Sequence, residues 1–146
     1  MRKQENPSVF KPPTGTDPRG IGPLFPLFVY GTLKRGFCNH HFLSGRNTIF
    51  LGRARTKKNL ALFVGRFPYV TARKRICPIS GELYLVDRNT LSRIDCLEEH
   101  PFWYKRSLTK VVLEDGTVWH AYLYFNDHPE GRLIKNGLYQ RGVPYP

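Results

Sequence analysis

Acidic residues are scarce in this chain of 146 residues, where 11 Asp and Glu stand against 23 Lys and Arg, a net charge of +12. With a pI near 10.0, the imbalance predicts attraction to polyanions, nucleic acid first among them. A small metabolic enzyme does not need such a charge. Long apolar runs are also missing. The longest, residues 24–30, is broken by Pro26 and falls far short of the ~20 residues a membrane-spanning helix requires; the expectation is a soluble chain with no membrane partner. Cysteine is sparse: Cys38, Cys77 and Cys96 are odd in number, widely spaced and outside any C-x-x-C pair. That argues against a disulfide framework and a cysteine-built zinc site, and predicts reduced thiols in an intracellular compartment, cytoplasm or mitochondrion. No secretory signal is expected, because Met1-Arg2-Lys3-Gln4-Glu5-Asn6-Pro7 leads into no apolar segment.

Proline and glycine, by contrast, are abundant at both ends. Residues 1–26 and 126–146 are rich in them, a composition that leaves little room for helices or paired strands. Both read as arms, mobile unless a partner holds them, around a single domain at 27–125. Within it, the patterning predicts strands at 27–30, 48–53, 60–64 and 80–86, then a hairpin of 104–113 and 118–125 turning at Glu114-Asp115-Gly116, with Val111 and Leu113 opposite Val118 and Ala121. A short helix is expected at 39–44, between Asn39 as cap and Gly45.

A second helix, capped by Asp87 or Asn89, carries Leu91, Ile94 and Leu97 at helical spacing. Glu98 falls on the same inward face, four residues after Ile94, whereas Glu99 is turned about 100° toward solvent. A carboxylate on the apolar side of a helix is costly unless it is paired or used. Desolvation there raises its pKa, which suits proton transfer near neutral pH.

Tyr30-Gly31-Thr32-Leu33 follows a buried strand and precedes the basic Lys34-Arg35-Gly36 loop. A glycine at such a turn lets the following N–H groups point at a carboxylate or oxyanion, although glycine-centred turns are also ordinary connections. His40, His41 and His100 show no metal-ligand spacing, so no metal is expected. Basic residues cluster at Arg53, Arg55, Lys57 and Lys58 and at Arg73, Lys74 and Arg75, with aromatics interleaved. These are the candidate polyanion contacts, though they match no named nucleic-acid motif.

The stretch Phe28-Val29-Tyr30-Gly31-Thr32-Leu33-Lys34-Arg35-Gly36 with Asn39-His40 resembles the opening signature of the γ-glutamylcyclotransferase-like family, most of all its γ-glutamylamine cyclotransferase branch. Gly81-Glu82-Leu83-Tyr84-Leu85-Val86-Asp87, Leu91, Asp95, Leu97-Glu98, Pro101 and Tyr104-Lys105-Arg106 continue the resemblance in order. It implies an α+β (mixed α/β) fold, a small β-barrel with short flanking helices. It also implies that the Tyr30, Gly31, Thr32 and Leu33 turn binds a γ-glutamyl group and that Glu98 is the general acid/base. The reaction implied is cyclisation of a γ-glutamyl amine to 5-oxoproline without cofactor or metal. Asp95 and Tyr104 are candidate supports of the pocket. A competing expectation takes the same fold as a structural subunit of a ribonucleoprotein such as a mitochondrial ribosome, with RNA and protein neighbours contacting the basic surface and the arms.

Overall fold

The computed structural model of the protein describes residues 22–140, in which β1 (Leu24–Val29), β2 (Thr48–Thr56), β3 (Ala61–Val64), β4 (Pro68–Thr71), β5 (Ser80–Asp87), α1 (Arg88–Leu97), β6 (Lys105–Leu113), β7 (Val118–Phe125) and β8 (Arg132–Leu133) follow in order. Five strands close a barrel in the order β1-β5-β2-β6-β7, and a smaller sheet runs β4-β3-β8. The fold is the expected α+β barrel. The helix expected at 39–44 is a single 3-10 turn, His40–Leu43.

β1 is apolar on successive residues because both of its faces are covered. Phe28 points into a core shared with Leu83, Val111, Ala121 and Leu123. Leu27 and Val29 point the other way and pack with Val86, Leu91 and Ile94 beneath α1. The two layers require β1 and β5 to lie close together. Gly81 permits this, since a Cβ there would overlap the Val29 carbonyl oxygen.

α1 starts where Asp87 Oδ1 accepts the Thr90 N–H at 2.8 Å, so Asp87 is the cap. Leu91 and Ile94 are buried, as their spacing predicts. The helix stops at Glu98, whose N–H reaches the Ile94 carbonyl at 2.9 Å; Glu99 then takes φ 54 and Pro101 cannot continue the ladder. The β6–β7 hairpin turns where expected, with Asp115 Oδ1 accepting from Thr117 N at 2.9 Å and Oγ1 at 2.6 Å. Its register differs from the expected one: Val111 faces Trp119, and Ala121 faces Thr109.

The arm boundaries differ from those read in the sequence. β1 begins at Leu24, so Pro26 lies inside a barrel strand. Beyond Phe125, β8 pairs with β3, and the Tyr139 carbonyl accepts from Lys34 Nζ at 2.7 Å. Residues 126–140 are thus built onto the fold, because local proline and glycine content does not reveal a two-residue pairing. The expected arms at 1–21 and 141–146 lie outside the described residues. Among the described residues no helix is long and apolar enough to cross a membrane.

Candidate active-site pocket

A cavity of about 80 Å³ opens where the end of β1, the end of α1 and the β3–β4 turn converge. All four residues of the Tyr30–Leu33 turn line it, together with Glu98, Tyr104, Tyr124 and Asn39. Two segments 65 residues apart in the chain thus meet because α1 packs on the outside of β1 and ends beside the turn that leaves it.

The turn has a fixed shape. Lys34 N donates to the Gly31 carbonyl at 3.0 Å, and Asn39 N donates to the Thr32 carbonyl at 2.9 Å. Asn39 Nδ2 adds a bond to Thr32 Oγ1 at 2.9 Å. Gly31 is required here, since a Cβ would sit 2.6 Å from Pro68 Cγ. Among the described residues, the N–H groups of Thr32 and Leu33 donate to no other group. Two backbone donors next to a cavity form an anion-holding arrangement.

Burial pushes the Glu98 carboxyl up to about 7, and no ion pair offsets it among the described residues. Desolvation also drives the Tyr30, Tyr104 and Tyr124 phenols well above their ordinary value, with the Glu98 charge adding to each. They stay neutral near pH 7. Each hydroxyl has a partner: Tyr30 donates to the Tyr124 carbonyl at 2.7 Å, Tyr104 to the Pro68 carbonyl at 2.8 Å and Tyr124 to Asp95 Oδ1 at 2.6 Å. Glu98 thus shares the cavity wall with three neutral tyrosines whose hydroxyls donate elsewhere.

Asp95 stands one layer behind. Burial opposes its ionisation, but hydrogen bonds from Arg106 and Tyr124 outweigh that and hold the carboxyl below its usual range. Arg106 grips it through Nε at 2.7 Å and Nη2 at 3.0 Å, a bidentate pair with a fixed plane. Asp95 thus supports the pocket wall through Tyr124.

Asn39, Phe67, Pro68, Trp103 and Tyr124 also line the pocket and were not picked out as pocket residues by sequence reasoning. Only Asn39 had a signal, its place in the opening signature. Phe67 and Trp103 meet edge to face at 5.1 Å, a pairing that spans separate loops. The candidate polyanion contacts Arg53, Arg55, Lys57, Lys58, Arg73, Lys74 and Arg75 are all exposed and none lines the pocket. His40 Nδ1 donates to the Leu33 carbonyl at 3.0 Å and His41 Nδ1 to the Cys38 carbonyl at 3.2 Å. His100 Nδ1 accepts from Arg106 N at 3.1 Å. Among the described residues no three His, Cys, Asp or Glu side chains converge to hold a metal ion.

Known proteins share both the chain pattern and the barrel. Residues 27–141 match the model of the family described as gamma-glutamyl cyclotransferase, AIG2-like. A Methanocaldococcus jannaschii protein, named provisionally as a gamma-glutamylcyclotransferase, is 43% identical over 115 residues, covering 78% of this chain and 94% of its own. The gamma-glutamylaminecyclotransferase C of Danio rerio is 32% identical over 117 residues, covering 67% of this chain and 72% of its own. The crystal structure of an AIG2-like protein from Mus musculus superposes with a TM-score of 0.74 at 27% identity, covering 83% of this chain and 91% of that one. Sequence match and barrel agree, and this chain belongs to the gamma-glutamyl cyclotransferase, AIG2-like family.

Proposed function

We propose that this protein cyclises a γ-glutamyl amine, releasing 5-oxoproline and the free amine, with Glu98 as general acid/base. One observation carries the reading: a carboxyl ionising at about 7 shares a cavity with Thr32 and Leu33, whose N–H groups have no partner among the described residues.

The chemistry follows from these groups. A γ-glutamyl substrate arrives with its α-amine protonated, since the neighbouring free carboxylate holds such an amine above the ~8 of a peptide N-terminus. Glu98, ionised, accepts a proton from that ammonium group. The freed nitrogen attacks the γ-carbonyl of the same molecule and forms the new C–N bond of a five-membered ring. N–H groups of the turn steady the substrate carboxylate or the developing oxyanion. As the bond to the departing amine breaks, Glu98 returns the proton to it, and the surplus proton of the ring nitrogen passes to the same amine, which leaves as an ammonium ion. No water or cofactor enters the balance, and holding the two ends of one molecule together supplies much of the rate. A carboxyl near neutrality serves both directions, because it is a competent base and a competent acid at the same pH.

The neutral phenols of Tyr30, Tyr104 and Tyr124 keep the cavity poorly solvated without adding charge. Neither the fold nor the relatives lend support to the alternative of a structural subunit in a ribonucleoprotein. The test is turnover of free Nε-(γ-glutamyl)lysine, read as 5-oxoproline and lysine by mass spectrometry. Glu98→Gln is expected to lower kcat by about 10²–10⁴ with the fold retained; undiminished turnover would remove Glu98 from the mechanism.

A further inference from the structure

Trp103 lines the Glu98 pocket and also a surface groove with Phe102, Leu108, Phe125, Lys58 and Lys105. The groove is the roomier of the two, about 450 Å³ against about 80 Å³ for the pocket. Two of its side chains are unusual for a surface: Phe102 is 93% exposed and Leu108 is 58% exposed. Exposed large apolar residues are unremarkable when scattered, but grouped in one concavity they mark a contact surface. The charges are unbalanced. Among the described residues Lys58 and Lys105 form no ion pair. Asp127, the groove's carboxylate, is engaged by Thr71 Oγ1 at 3.1 Å and by Arg73 at 3.9 Å.

The chemistry assigns a direction to this groove. In the cyclisation, the α-amine of the glutamyl group is the nucleophile and must be free. With the α-carboxylate of the glutamyl group held by the N–H groups of the turn, larger structure on the substrate is attached through the amine that departs. We propose that the groove holds an acidic peptide carried by that amine, so that the preferred substrate is a γ-glutamyl group on a lysine side chain within such a peptide. The inference rests on the cyclotransferase reading. Carboxylates of the peptide face Lys58 and Lys105, and its apolar side chains cover Phe102 and Leu108. The arrangement also uses part of a positive charge that the catalytic pocket leaves unexplained.

The experiment compares kcat/KM of the full chain on three probes. These are free Nε-(γ-glutamyl)lysine, the same group on the central lysine of a seven-residue peptide of Asp and Leu, and its counterpart with Lys replacing Asp. The acidic peptide is expected to be favoured about tenfold over the free compound through KM, the scale of one covered aromatic side chain. The basic peptide is expected to show no such gain. Phe102→Ala, and separately the double variant Lys58→Glu with Lys105→Glu, are expected to erase the preference while leaving turnover of the free compound unchanged. High salt is expected to weaken the preference as well. Equal or poorer use of the acidic peptide, or a preference unmoved by these variants, would overturn the groove assignment while leaving the cyclotransferase intact. No turnover of any probe would overturn the cyclotransferase reading, and this inference with it.

Discussion

Replacing Glu98 by glutamine is expected to change the pH dependence of folding stability as well as turnover. The carboxyl ionises at about 7 when folded, against an ordinary 4.5, because it is desolvated. Between those values the folded chain holds a proton that the unfolded chain has released. The stability from this neutral carboxyl is fully present below pH ~4.5 and is lost as pH rises through about 7, reaching about 3 kcal/mol above pH ~8. Glutamine is neutral throughout and loses nothing over the same range. The stability difference between the two proteins should therefore shift by about 3 kcal/mol in favour of the variant between pH 4 and 8.5. Groups such as Asp87 and Asp95, whose carboxyls are held low, are shared by both proteins and cancel in the difference. Urea unfolding followed by the fluorescence of the two tryptophans measures it at each pH. A difference that stays constant across the range would mean that the Glu98 carboxyl is solvated, and the proposed acid/base role would lose its physical basis.

Three further outcomes follow from the same geometry. The kcat/KM of the wild-type protein should rise with pH through a limb near 7, since the proposed mechanism starts from the base form of Glu98; a limb near 4.5 would contradict the burial. Asp95→Asn should cost about 1–3 kcal/mol of stability, leave Arg106 without its bidentate partner and weaken turnover through Tyr124, whereas unchanged urea midpoints and kinetics would show that the pair is idle. Gly31→Ala should cost about 1–3 kcal/mol and raise KM, because the added methyl group meets Pro68; crystallography and kinetics of the variant would both detect an undisturbed turn.

Much of the site could be read from the chain because its two halves are local patterns. Leu91, Ile94 and Glu98 share a helix face through covalent spacing alone, and α1 buries Leu91 and Ile94 while Glu98 lines the pocket. Gly31 marks a turn by its lack of a side chain, but only the fold shows that Pro68 is what excludes a Cβ there. β4 begins with that proline and spans four residues, and β8 spans two. Neither is long enough to show the alternation that betrays a strand.

The sequence by itself determined the barrel's main strands, the capped helix, the inward position of Glu98 and the excess of positive charge. Each depends on residue type and on periodicity within one segment. Tertiary structure alone decided that Tyr124 and Trp103 wall the pocket, that Arg106 and Tyr124 together hold Asp95, and that residues 126–140 belong to the fold. Those contacts join segments distant in the chain, and only the closure of the barrel brings them within reach.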